Sequence, residues 1–287
     1  MMRVLLLGFD TPLGAAIVER QTILGRHELI TMSRSACRWK SERQAKKSVV
    51  RAKSDIVVDV RVEAAGDSGT QIQQQDLQRC HWVAKACQRS GTAYLFVSSS
   101  RVFSGQLDRP YVETDPPDND ETVGQLLAQA EQFVEKACQR HLLLRFGPVF
   151  SDGGTNLISQ ILGPLSDGDS LILDNNLRGC PIAAADGARV ILAILDQLGT
   201  GLEAWGRYHY GSSDTATYYE FAEALLAAAS QFSEFSSSAV QLESESGELA
   251  SLDRTLDCAL IRNTFAIRQV PWRSAIGDLV KHYYEKN

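Results

Sequence analysis

Hydrophobic positions in the first half of the chain fall into short aliphatic runs, separated by longer stretches in which apolar residues return every three or four positions. The runs at residues 3–8, 28–33, 55–60 (DIVVDV), 93–98 (AYLFVS) and 141–146 (HLLLRF) are short and near-continuous, as strands buried on both faces are. Residues 13–24, 72–90 and 124–140 carry helical spacing, and in the second of these Leu77, Cys80, Val83, Ala84 and Cys87 mark one face. Strand and helix alternating in this way predict an α/β fold built on a Rossmann-type doubly wound parallel sheet. After Gly147-Pro148 the alternation weakens. Helices are expected at 184–198 and 218–229 and a short strand at 240–242, while the Ser- and Glu-rich residues 230–251 read as a solvated, mobile connection.

Composition narrows the partners. The 287 residues include 29 basic and 35 acidic side chains, a net charge of −6, with no basic block beyond residues 43–47, which argues against nucleic acid. The apolar start, Val4 to Leu7, is too short for a signal sequence, and no run approaches the roughly 20 apolar residues of a membrane span. The expectation is a soluble, cytoplasmic protein with no membrane partner. Six cysteines without a C-x-x-C pair read as reduced, buried thiols, and five scattered histidines show no metal-ligand spacing, so no metal site is expected.

The first strand turns into the first helix through Gly8-Phe9-Asp10-Thr11-Pro12-Leu13-Gly14. A dinucleotide needs glycine at such a junction, because its pyrophosphate must approach the backbone and the helix N-terminal N–H groups. The outer glycines of a G-x-x-G-x-x-G pattern remain, with Thr11 in the middle. Thr11-Pro12 is also a good helix cap, threonine at the N-cap and proline at the first helical position. On the nucleotide reading Gly8, Thr11, Pro12, Leu13 and Gly14 contact the cofactor, the Thr11 hydroxyl donating to a phosphate oxygen. The second strand ends without the acid that would bind both ribose hydroxyls and offers Ser33, Arg34 and later Arg38, which favours NADP over NAD. Asp59, Val60 and Ser98, at the ends of later strands, complete the expected cofactor contacts, with Arg61 placed to neutralise Asp59.

Ser98-Ser99-Ser100-Arg101-Val102-Phe103-Ser104-Gly105 and Arg109-Pro110-Tyr111-Val112-Glu113-Thr114-Asp115 resemble the S-T-D-Y-V-F-x-G and R-P-Y-x-E-x-D signatures of the dTDP-4-dehydrorhamnose reductase family, which are extended short-chain dehydrogenase/reductases. Arg145 and Asn156 fall at its R-T-S-W-V-Y and G-x-N-F. Residues 174–181, from Asp174 through Arg178 to Pro181, are similar to its D-D-Q-x-G-x-P-T loop. Residues 206–209 resemble its G-x-Y-H, residues 256–258 its L-D-C, and Pro271-Trp272 its closing P-x-W. The resemblance spans essentially the whole chain. It implies an NAD(P)-binding domain over residues 1–147 and a smaller substrate-binding subdomain over 148–287, some of whose segments return to the sheet. It also implies Ser99 as the catalytic Ser/Thr, and Ser100, Arg101, Val102, Phe103, Arg145, Asn156, Arg178 and Pro181 as contacts to a nucleotide sugar. A homodimer is compatible with it.

The resemblance breaks where the family reads Y-G-x-x-K-L-A-G-E. Residues 123–131 are VGQLLAQAE, so Gly124 and Glu131 match while Val123 and Leu127 replace the tyrosine and lysine. In the family the tyrosine protonates the new alkoxide and the lysine lowers the tyrosine's pKa; valine and leucine do neither. Such general acid catalysis is typically worth ~10²–10⁴-fold. Leu127 also continues an apolar stripe with Leu126, Ala130 and Phe133, in keeping with a retired charge replaced by packing. Three functions fit this pattern. One is a nucleotide-sugar- and NAD(P)-binding protein with reduced or lost reductase activity. The second is an active reductase or epimerase with a relocated acid. The third is a regulatory subunit acting on a protein partner, as the family's regulatory subunit of methionine adenosyltransferase does.

Overall fold

Strands that are apolar on both faces require cover on both faces, and the chain supplies it by alternating them with helices. The computed structural model describes residues 1–62, 72–173, 175–235, 240–242 and 252–286. The first half runs β1 (Arg3–Leu7), α1 (Pro12–Leu24), β2 (Glu28–Met32), α2 (Glu42–Ala52), β3 (Ile56–Asp59), α3 (Gln74–Ser90), β4 (Ala93–Ser99), a 3-10 turn (Ser100–Val102), α4 (Thr122–Ala137) and β5 (His141–Phe146). The second half runs β6 (Val149–Phe150), α5 (Leu157–Ser166), β7 (Leu171–Leu173), β8 (Leu177–Gly179), β9 (Ile182–Ala183), α6 (Ala184–Gly199), β10 (Gly206–Tyr210), β11 (Ala216–Thr217), α7 (Tyr218–Ala229), β12 (Val240–Leu242), β13 (Leu252–Asp253), α8 (Ala259–Phe265) and α9 (Arg273–Lys286).

The central sheet has the order β10-β5-β4-β3-β1-β2 and is parallel throughout. Helices α2, α3 and α4 pack side by side, and α1 packs against α6. This is the Rossmann-type doubly wound sheet that the alternation predicts. β10 comes from the second half of the chain, and a large apolar cluster unites it with β1 to β5. A second cluster gathers Phe150, Ile158, Leu162, Phe221, Leu225 and Trp272 under the C-terminal helices. The short strand at 240–242 is present and pairs in parallel with β7. Asp174 and most of the Ser/Glu-rich connection lie outside the described residues.

Differences from expectation have local causes. α2 was not legible because only Ala45, Val49 and Ala52 in its eleven residues are buried. α4 stops at Ala137 rather than 140, since Cys138 is extended (φ −135°) and leads straight into β5. α5 passes through Pro164, whose residue type reads as a turn. All six cysteines are buried free thiols, as expected. Among the described residues no helix is long and apolar enough to cross a membrane.

One polar network ties the sheet together. Arg145 on β5 donates to Glu131 on α4 through Nε (3.0 Å to Oε1) and Nη2 (2.7 Å to Oε2), and both side chains are buried. Ser98 on β4 donates to the same carboxylate at 2.7 Å. Arg145 Nη1 lies 3.3 Å from His209 Nε2 on β10; a guanidinium only donates, so Nε2 accepts and Nδ1 carries the proton given to the Tyr111 carbonyl at 3.0 Å. Burial, helped by the Arg145 charge, pushes His209 down to about 3.

Removing one partner of such a pair leaves the other as a buried, uncompensated charge. Arg145→Leu is expected to cost about 3–5 kcal/mol in urea unfolding. His209 gives a separate signature. Its folded value lies below the unfolded 6.5, so its contribution is intact above pH 6.5 and is lost as pH falls towards 3. Between pH 7.5 and 5 the wild type should lose about 2 kcal/mol more stability than His209→Gln.

Candidate functional site

The loops that leave the C-terminal edge of β2 to β5 contribute to two cavities, at the edge where a doubly wound sheet binds ligands. The first, about 280 Å³, lies beyond β2 and β3 and presents four guanidinium groups, those of Arg34, Arg38, Arg61 and Arg79. Arg79 is paired to Asp76, and Arg61 makes a two-pronged bond to Asp59 at 2.8 and 2.7 Å. Tyr94 donates to the same Asp59 at 2.7 Å, and burial followed by the Asp59 charge pushes its phenol up, so it remains a donor. Burial likewise pushes the Cys37 thiol up to about 12, which keeps it protonated beside the arginines.

The turn into α1 resolves the two readings of Thr11. Its hydroxyl donates to the Gly8 carbonyl at 2.8 Å and accepts the Gly14 N–H at 3.0 Å, so it is a buried N-cap and does not donate outward. Pro12 carries no N–H, and Thr11 occupies that of Gly14. Two of the first three helical positions therefore offer no free N–H to an anion. The glycines are required: Gly8 has φ +91°, and a Cβ on Gly14 would stand 2.1 Å from the Gly8 oxygen. Asp10 accepts the Arg34 backbone N–H at 2.7 Å and joins this turn to the end of β2.

The second cavity, about 230 Å³, opens beyond β4 and β5. Leu157, Leu177 and Phe221 form an apolar wall, and Ser100, Arg101, Glu121, Arg178 and Arg254 are its main polar groups. Arg178 is held by Glu220 at 3.0 and 2.9 Å and by Thr215 at 3.1 Å. Arg254 donates to Glu121 at 3.0 Å.

Of the expected ligand residues, the structure gathers Ser100, Arg101, Arg178 and Pro181 at this second cavity and Arg34 at the first. The side chains of the others are buried or engaged within the protein. Asp59 is enclosed and saturated by Arg61 and Tyr94, and Val60 and Leu13 are core side chains. Ser98 is committed to Glu131, and Ser33 bonds within its own turn, to Ser35 and the Ala36 N–H. Val102, Phe103 and Arg145 are fully buried, with the guanidinium 4.8 Å above the Phe103 ring. Asn156 is the N-cap of α5, accepting from Ile158 at 3.0 Å. Ser99 is 2% exposed and accepts the Arg101 N–H at 3.3 Å. Tyr111 is buried and stacked on Phe103 at 4.0 Å, which removes it as a substitute acid.

At the two altered positions Leu127 is 0% exposed and part of the large core, whereas Val123 is half-buried against it. Glu121, Arg254, Tyr218 and Phe221 line the second cavity without having been anticipated. Arg254 meets Glu121 across 133 residues, a separation that no local pattern bridges.

The RmlD substrate binding domain family matches residues 2–285. The spore coat polysaccharide biosynthesis protein SpsK of Bacillus subtilis is 24% identical over 234 residues, 79% of each chain. A dTDP-4-dehydrorhamnose reductase of Aggregatibacter actinomycetemcomitans is 21% identical over 97% of this chain and 98% of its own. The fold superposes on the crystal structure of dTDP-4-dehydrorhamnose reductase from Bacillus anthracis in complex with NADP with a TM-score of 0.78, at 17% identity, covering 100% of this chain and 98% of that one.

The capped turn makes a direct prediction. Thr11→Gly should cost about 1 kcal/mol or less in thermal unfolding, because glycine is tolerated at an N-cap. The same change should tighten NADPH binding in a fluorescence titration by returning the Gly14 N–H to the anion.

Proposed function

The chain belongs to the RmlD substrate binding domain family, and from that premise we propose that it binds a nicotinamide dinucleotide and a nucleotide sugar with reductase activity reduced or lost. The observation that carries this reading is Leu127, a fully buried apolar side chain where the family places a lysine ammonium. With Val123 at the tyrosine position, these two positions of α4 offer neither a proton donor nor the cation that would tune one. NADPH when bound would supply hydride, and its uptake would rest on Arg34 and Arg38. Planar guanidinium groups match a 2′-phosphate, and no carboxylate at Ser33 is placed to hold a ribose diol. The depleted first turn of α1 makes the pyrophosphate end the weaker half of that site. Residues 1–147 would then form the nucleotide side and 148–287 the sugar side, with α6, β10 and α8 returning to the sheet.

Within the second cavity the residues can bind and orient. Leu157, Leu177 and Phe221 exclude water from an apolar ligand face, while Ser100 and Arg178 engage polar groups. Proton transfer to an alkoxide is the missing step. A relocated acid is the second reading, and one observation favours it: Tyr218, a residue with a titratable hydroxyl, is 40% exposed and lines the same cavity.

Calorimetry with NADPH, NADH and dTDP-sugars, alongside a turnover assay, tests the proposal. Sugar-nucleotide binding is expected, with turnover ~10²–10⁴-fold below a family member that keeps the tyrosine and lysine. Turnover at that member's rate overturns the proposal, and its loss in Tyr218→Phe would assign the acid to Tyr218.

A further inference from the structure

Glu121 stands in the wall of the second cavity, two residues before Val123, and the reading above gives it no task. Arg254 Nη2 donates to its Oε1 at 3.0 Å, whereas Arg101 Nη2 is 3.8 Å from its Oε2, a charge contact longer than a hydrogen bond. Buried Asn119 fixes the frame: its Nδ2 donates to the Arg101 carbonyl at 2.7 Å and its Oδ1 accepts the Glu121 N–H at 3.0 Å. Gly124 permits this approach, because a Cβ there would come within 2.7 Å of the Asn119 side chain. The backbones that carry Arg101 and Glu121 are thus tied to a single amide.

The side chain of Glu121 is 51% exposed although it lines the cavity. Arg254 takes one oxygen of the carboxylate, and the Glu121 side chain, half exposed, is part of the cavity lining. Burial alone would raise its pKa, but the Arg254 hydrogen bond and the charges of Arg254 and Arg101 outweigh that and hold it below the usual range. An ionised carboxylate accepts hydrogen bonds and donates none. It repels a phosphate and attracts hydroxyl groups, so it responds in opposite senses to the two halves of a nucleotide sugar.

We infer that Glu121 is the specificity residue of this cavity: its carboxylate accepts hydrogen bonds from pyranose hydroxyls and selects a sugar-bearing nucleoside diphosphate over the bare one. The inference rests on the nucleotide-sugar reading and deepens it. Arg254 and Arg101 act as positioning residues that hold the carboxylate at the cavity wall.

The test is calorimetric titration of the full chain, Glu121→Gln and Glu121→Asp with dTDP and with dTDP-glucose. A hydrogen bond to a charged group corresponds to roughly 10–100-fold in affinity. The wild type should prefer dTDP-glucose by about tenfold or more. Glu121→Gln should remove most of that preference while binding dTDP as tightly or more tightly, and Glu121→Asp should fall between. A wild type that binds both ligands equally, a preference unchanged in Glu121→Gln, or an equal loss for both ligands overturns the inference alone. A wild type that binds neither ligand overturns the nucleotide-sugar reading and the inference with it.

Discussion

The Glu131–Arg145 pair is the constraint around which the rest of the molecule is arranged. It joins α4 to β5, takes Ser98 from β4 and reaches His209 on β10. Burying two charges is costly in itself, and the cost is met only when the remaining lone pairs and protons also find partners. Here they do, because three neighbouring strands and a helix each present a polar group to one point. That requirement fixes how β10, which arrives from the second half of the chain, lies against β5. It also sets the start of the 3-10 turn carrying Ser100 and Arg101, since Ser98 is held immediately before it.

Helix α4 carries three consequences of one geometry. Glu131 is locked into the network, Leu127 one turn earlier fills the core, and Glu121 just before the first turn stands in the cavity wall. An ammonium at position 127 would need an acceptor or water, and its surroundings are apolar. The helix therefore holds its place here by packing. The nucleotide side follows the same trend. Thr11 and Pro12 strengthen the start of α1 by consuming its donors, and Arg61 settles Asp59 by pairing with it rather than leaving it to meet a ligand. In both places the side chains serve the structure, while the arginines beyond β2 and the polar groups beyond β4 and β5 line cavities.

Much of the fold was legible from periodicity, because a strand buried on both faces leaves a continuous apolar run. α2 was not, since a helix that buries only three residues leaves too little contrast. The site was legible in part. Ser100, Arg101, Arg178 and Pro181, singled out from motif spacing, line one cavity, whereas Arg145, Val102 and Phe103 from the same motifs are buried and Asn156 caps α5. Motif position does not distinguish a side chain that faces a ligand from one that braces the residue that does.

The sequence by itself determined the alternation of the doubly wound sheet, the glycines of the first turn and the loss of the tyrosine and lysine, because each depends on residues close together in the chain. Only the tertiary structure decided that the Thr11 hydroxyl caps α1 and donates inward to Gly8, that Asp59 is sealed by Arg61 and Tyr94, and that Arg254 meets Glu121. Those outcomes depend on which side chains reach one another across the sheet edge. Hydrogen bonds and burial act over a few ångströms in space, and a linear sequence does not record that proximity.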